Sequence, residues 1–196
     1  EVLYRTAKEL QGYISKLEEI RVPVIAAVHG GVIGGALDLI TACDMRFASD
    51  DAFFCIQEIN IGMAADVGTI QRLPKIIPDS KMREMAYTGR RMLADEAKDS
   101  GLVGEVYDTQ EEMLDAVHKL AAEIASKSPV AIYGLKAVMN YSRDHNVSDS
   151  LDFNALWSGA MLSQKDMTEA MTAHMEKRDA SFDKMVDVKK FNESKS

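Results

Sequence analysis

Apolar side chains at Leu3, Ala7, Leu10, Ile14 and Leu17 recur at helical spacing among Lys, Glu and Arg, predicting a helix over residues 2–20 with one buried face. Arg21-Val22-Pro23 breaks that pattern, and Val22 to Val28 reads as a buried strand rich in β-branched residues. The stretch His29-Gly30-Gly31-Val32-Ile33-Gly34-Gly35 is a glycine-rich turn, and Ala36 to Ala42 returns to helix-compatible residues. The unit is therefore strand, glycine turn, helix. Arg46 to Ala48 and Ala52 to Ile56 predict short strands joined by the turn Ser49-Asp50-Asp51. Glu58 to Gly68 has no regular period. Helical patterning resumes at Ile70 to Leu73 and at Ser80 to Tyr87. Leu93 to Ala97 opens a further helix that ends at Gly101, and Leu102 to Val106 predicts a strand.

Beyond Thr109 the periodicity becomes helical throughout. Glu111 to Ser126 is amphipathic, Ser128-Pro129 starts a second helix, and two more cover about 148–162 and 168–177. The expected organisation is an α/β core over 1–108, a helical region over 109–182 and a mobile polar tail over 183–196.

Composition narrows the function classes. The 196 residues carry a net charge of −8, and the basic pairs Arg90-Arg91 and Lys189-Lys190 are isolated, which argues against nucleic acid as a partner. The apolar run Val22 to Val28 is too short to span a bilayer, and no secretory-signal pattern opens the chain. The first residue is Glu1 rather than Met, so an N-terminal piece is expected to precede it. Cys43 and Cys55 have no metal-like spacing and read as reduced thiols.

The candidate chemistry lies between the glycine turn and Asp66. Backbone N–H groups at the start of a helix lack intrahelical partners and favour an anion. A thioester carbonyl docked on Gly35 would gain negative charge there when the carbon alpha to it loses a proton. The plain alternative is that the glycines serve a tight turn and close packing. Asp38 lies one turn into the helix, so its side chain can point back toward that turn. Glu58 and Asp66 fall in a segment otherwise rich in Ile, Met, Ala and Val, where lost solvation would raise a carboxyl pKa into the useful range. Two such groups can take a proton from one carbon and return one to another. Taken singly, each is more often an ordinary surface carboxylate. No His stands at ligand spacing, so no metal is expected. Trp157 and Tyr141 are candidates for a subunit contact or an apolar tunnel, and Lys177 and Arg178 for a phosphate.

The motifs Val22-Pro23-Val24-Ile25-Ala26-Ala27-Val28-His29-Gly30, Gly34-Gly35-Ala36-Leu37-Asp38-Leu39 and Ala42-Cys43-Asp44-Met45-Arg46 resemble the core signature of the crotonase (enoyl-CoA hydratase/isomerase) superfamily. Gln71-Arg72-Leu73-Pro74, Arg91 to Ala97, Gly101-Leu102-Val103 and Ser126 to Ala131 continue the match in register. The resemblance extends to about Lys177. Asp38 together with Ala64-Ala65-Asp66-Val67-Gly68-Thr69 is similar to the delta(3,5)-delta(2,4)-dienoyl-CoA isomerases within that superfamily, as are Ser142 to His145, Ser150-Leu151 and Trp157. Hydratases carry a glycine where Asp66 stands and a glutamate where Asp38 stands.

The resemblance implies a crotonase-like α/β fold, a ββα spiral core followed by a C-terminal helical oligomerisation region, with the N-terminal part of the fold absent from this chain. It implies a 1,5-proton shift in unsaturated fatty acid β-oxidation. Glu58 would take the C2 proton of a 3,5-dienoyl-CoA, Gly35 would hold the dienolate, Asp66 would protonate C6, and Asp38 would orient or polarise. It further implies an acyl-CoA substrate, no cofactor apart from the CoA of that substrate, and a trimer or hexamer. The implied address is the peroxisome or mitochondrial matrix, left undecided, and the protein is expected to be soluble. A second oxyanion donor is expected from residues before Glu1. An enoyl-CoA hydratase or mono-ene isomerase, and a non-catalytic acyl-CoA-binding or assembly relative, stand as alternatives.

Overall fold

The structure, a computed structural model, describes residues 1–185; the expected mobile tail falls outside the described residues from 186 on. The chain divides into two compact units, with the division between Leu120 and Ala121.

In the first unit, helix α1 (Val2–Glu19) leads to strands β1 (Ile25–Val28) and β2 (Gly31–Ile33), then helix α2 (Gly35–Thr41). Strands β3 (Met45–Ser49) and β4 (Phe53–Cys55) follow, then a 3-10 turn at Glu58–Ile61 and the short helix α3 (Thr69–Arg72). A second 3-10 turn at Leu73–Lys75, helix α4 (Asp79–Thr88), β5 (Arg91–Leu93), α5 (Ala94–Ser100) and β6 (Val106–Tyr107) lead into α6 (Gln110–Ala125). The strands form two sheets, ordered β1-β3-β6 and β2-β4-β5. β1 pairs parallel with β3, and β2 parallel with β4, while β5 runs antiparallel to β4.

Three expectations about the strands change. The glycine-rich stretch is not all turn, because its middle is β2, with Val32 buried opposite Phe54. β3 and β4 do not pair with each other: the bend at Asp50–Asp51 carries the chain from one sheet to the other, as His29-Gly30 does between β1 and β2. The strand expected from Leu102 begins only at Val106, since Leu102 and Val103 are buried in the turn after α5, where their N–H groups bond to the Ala97 carbonyl. Short β5 carries too few residues to show a period.

The core of this unit gathers Leu37, Phe54, Ile56, Leu73, Met85, Met92 and Leu102, all fully buried. The expected buried face of α1 does not form. Leu3 is 86% exposed and Leu10 45%, and of the apolar stripe Leu17 is packed on the core cluster, because only the last turns of α1 reach it.

In the second unit, α7 (Pro129–Asp144), α8 (Val147–Met161) and α9 (Gln164–Glu176) follow the end of α6. Ser128, Asn146 and Ser163 each accept a backbone N–H from the first turn of the helix they precede. α7 and α8 meet through aromatic rings. Tyr141 stacks on Phe153 with centroids 4.2 Å apart, and Tyr133 meets Trp157 edge-on at 4.8 Å. Gly134 admits the Trp157 indole, whose Nε1 lies 2.4 Å from where a Cβ would stand. The helices of this unit line an open cavity of about 930 Å³. No helix among the described residues is long and apolar enough to cross a membrane.

Candidate active site

Gly34 fixes the start of α2. Its N–H donates to the Cys55 carbonyl at 3.0 Å, and its own carbonyl accepts from Leu37 and Asp38 at 2.7 and 3.1 Å. Its φ of +55° is a region that side chains with a Cβ resist. A Cβ there would also lie 3.1 Å from Glu58 Oε1, so the Glu58 carboxylate rests directly against the glycine backbone. Gly35 follows as the first residue of α2, is exposed, and has open space where a side chain would be. At the first position of the helix its N–H has no intrahelical partner.

Glu58 opens the 3-10 turn and is half-buried. Its carbonyl accepts from Met63 N–H at 2.9 Å. The turn is tied to the end of α4: Asn60 Nδ2 donates to the Gly89 carbonyl and to Gln57 Oε1, both at 3.1 Å. Cys55 Sγ shares the Gly89 carbonyl at 3.2 Å. Burial pushes the Cys55 thiol upward, Arg91 opposes this, and the nearby Glu58 carboxylate adds to it. The Glu58 carboxylate thus lies against Gly34, on a turn that hydrogen bonds fasten to the end of α4.

Asp38 is 1% exposed. Its Oδ1 accepts the Thr69 backbone N–H at 2.6 Å, a bond that caps α3 and joins it to α2. Thr69 is equally buried, and among the described residues its Oγ1 has no hydrogen-bond partner.

Asp66 lies on the loop between the 3-10 turn and α3, with its side chain exposed. Desolvation by apolar neighbours, expected for Glu58 and Asp66, therefore does not hold for Asp66 and is partial for Glu58. The buried carboxylate is Asp38. The apolar residues around Asp66 do not cover it, because Gly62, Met63 and Ala64 are themselves exposed. The loop is nonetheless anchored. Gln11 Nε2 donates to the Asp66 carbonyl at 2.7 Å. Gly68, at a strained φ of +141°, lies under the Arg72 guanidinium, whose Nη1 is 1.8 Å from an ideal Cβ position, so a side chain there would have to push that guanidinium aside. Arg72 donates to Glu18 at 2.7 Å and to Ser15 at 2.9 Å.

Gly35 and Asp38 lie on α2 and the Glu58 carboxylate rests against Gly34, while Asp66 precedes Thr69, whose N–H Asp38 holds, by three positions on the loop. Gln11, Asn60 and Thr69 support the site with no signal in the sequence, because each acts through a hydrogen bond to a residue far along the chain: Gln11 to the Asp66 carbonyl, Asn60 to the Gly89 carbonyl and the Thr69 N–H to Asp38 Oδ1. Among the described residues no cluster of three His, Cys, Asp or Glu side chains could hold a metal. In the second unit Arg178 is engaged by Glu169 at 2.6 Å and by Glu176 at 2.7 Å rather than presented to a phosphate.

The chain was compared with known proteins. Residues 4–185 match the family model described as enoyl-CoA hydratase/isomerase. The chain is 52% identical over 165 residues to the mitochondrial delta(3,5)-delta(2,4)-dienoyl-CoA isomerase of Rattus norvegicus, aligning 84% of this chain with 50% of that protein. It is 46% identical over 185 residues to the peroxisomal enzyme of the same name from Arabidopsis thaliana, covering 94% of this chain and 66% of that one. Among solved structures, a probable enoyl-CoA hydratase/isomerase from Mycobacterium abscessus superposes with a TM-score of 0.86 at 33% identity, over 92% of this chain and 70% of that one. The chain spans about half the length of the mammalian relatives it matches. The expected crotonase-type fold is thereby established, and the chain belongs to the enoyl-CoA hydratase/isomerase family.

Proposed function

We propose that the protein isomerises 3,5-dienoyl-CoA thioesters to 2,4-dienoyl-CoA by a 1,5-proton shift, in the β-oxidation of unsaturated fatty acids. The observation that carries this reading is the Asp66 carboxyl, exposed on a loop anchored to both α1 and α2. The dienoyl-CoA isomerases among the relatives favour the same reading.

In the proposed reaction the thioester oxygen accepts the Gly35 N–H. The Glu58 carboxylate removes a proton from C2, and the electron pair of that C–H bond spreads over C2 to C6 and the thioester oxygen. The Asp66 carboxyl then gives its proton to C6, leaving double bonds at C2 and C4. Glu58 ends protonated and Asp66 ionised, and exchange with solvent resets both. Asp38, buried and bonded to Thr69, holds α2 and the Asp66 loop in register. Simple hydration needs no acid at C6, so Asp66 separates this reading from the hydratases found among more distant relatives.

The acyl-CoA substrate, and assembly as a trimer or hexamer, are part of the proposal. Leu151, Leu156 and Leu162, exposed on or just after α8, favour assembly. CoA enters as part of the substrate, with no separate cofactor. The names of the relatives favour a mitochondrial or peroxisomal address.

The test is to add 3,5-dienoyl-CoA to the purified protein and follow absorbance of the diene conjugated with the thioester carbonyl. A catalysed rise supports the proposal; its absence, with 2-enoyl-CoA hydrated instead, contradicts it.

A further inference from the structure

Gln11 lies in the middle of α1, and its amide bridges that helix to the loop carrying Asp66. Nε2 donates to the Asp66 carbonyl oxygen at 2.7 Å, while Lys8 Nζ donates to Oε1 at 3.2 Å. A cation at one end and a carbonyl at the other fix which amide atom is oxygen and which is nitrogen. Farther along α1, Glu18 Oε2 accepts from Arg72 Nε at 3.0 Å and Nη2 at 2.7 Å. α1 therefore grips the loop on both sides of Gly68. From α2, Asp38 holds the Thr69 N–H.

The Asp66 side chain itself is exposed, so packing does not set its direction. Backbone anchoring must do so instead. Rotation of the peptide plane that contains the Asp66 carbonyl changes ψ at Asp66, and so changes how the carboxyl is aimed relative to the rest of the loop. Gln11 pins that plane.

We infer that Gln11 is a positioning residue for C6 protonation, acting through the Asp66 backbone. The inference rests on the isomerase reading above. Without the Gln11 amide, the first half of the reaction is intact: Glu58 still breaks the C2–H bond and the pair enters the extended enolate. The second half slows, because the Asp66 O–H proton no longer meets C6. The enolate then takes a proton back at C2 from Glu58. Glu58 is partly exposed, so its proton exchanges with solvent. In D2O each return that follows this exchange leaves deuterium at C2 of recovered substrate.

The experiment compares wild type, Gln11→Ala, and Gln11→Lys, which keeps a donor. It reads kcat, KM and, in D2O, the ratio of C2 exchange to isomerisation by mass spectrometry. For Gln11→Ala the expected result is kcat about three- to tenfold lower, the scale of one lost neutral hydrogen bond, with little change in KM. The exchange-to-isomerisation ratio should rise by a similar factor, and Gln11→Lys should move it back toward wild type. An unchanged ratio in Gln11→Ala, or exchange and isomerisation falling together, overturns the inference. A wild-type protein that neither exchanges nor isomerises overturns the isomerase reading and the inference with it.

Discussion

At the scale of single residues, Gly34 carries the tightest constraint. Its positive φ and its contact with Glu58 make two demands that any side chain would fail. Gly34→Ala should cost about 1–2 kcal/mol from the backbone conformation alone, measurable as a lower urea midpoint. It should also reduce kcat, since the added methyl displaces the Glu58 carboxylate. Asp66→Asn should lower isomerisation by about 10²–10⁴, the usual worth of a positioned general acid, while hydration of a 2-enoyl-CoA, if the protein has that activity, is spared. Steady-state rates on both substrates check this. The glycine turn with Asp38 was legible in the sequence as a local motif, and Glu58 and Asp66 as carboxylates in an apolar-rich segment; the roles given to them belong to the proposal. The exposure of Asp66 was not, because the apolar composition of a loop does not say which way its side chains face.

At the scale of elements, α4, β5 and α5 share the buried core through Met85, Met92 and Ala97, and ion pairs join them at the surface. Arg90 donates to Glu84 on α4 and to Glu96 on α5, and Lys81 on α4 also reaches Glu96. These bonds, Arg90's above all, hold the Glu96 carboxyl down to about 2. A carboxyl whose folded pKa is depressed adds stability that is present above its unfolded value, about 4.3, and is lost as pH falls from there through 2. The difference in Tm between wild type and Glu96→Gln should therefore be largest near neutral pH and shrink over that acid window. A difference independent of pH would show that the carboxylate charge contributes nothing. The helices themselves were readable from period and caps: Ser128-Pro129 begins α7 where expected, and Gly101 ends α5. The short strands were less so. β2 and β5 span too few residues to show alternation, and the sheet change between β3 and β4 depends on pairing with β1 and β2, which local pattern does not encode.

At the scale of the whole molecule, an α/β core followed by a helical C-terminal region was legible in the order of elements, while the crotonase-type spiral rested on the resemblance of the motifs to that family. The exposed stripe of α1 was not legible, because helical spacing shows that a face is apolar without showing what covers it. Assembly is tested at this scale. Light scattering should report three or six copies, and Leu156→Glu, at a position 74% exposed on α8, should reduce the mass without loss of helical circular dichroism. The central claim is that two different carboxylates serve the two ends of one conjugated system, and it is tested most directly by running the reaction in D2O and locating the label by NMR. The account predicts deuterium at C6 of the 2,4-dienoyl-CoA product. Deuterium at C4, or transfer of the C2 hydrogen to C6 without solvent label, would contradict it.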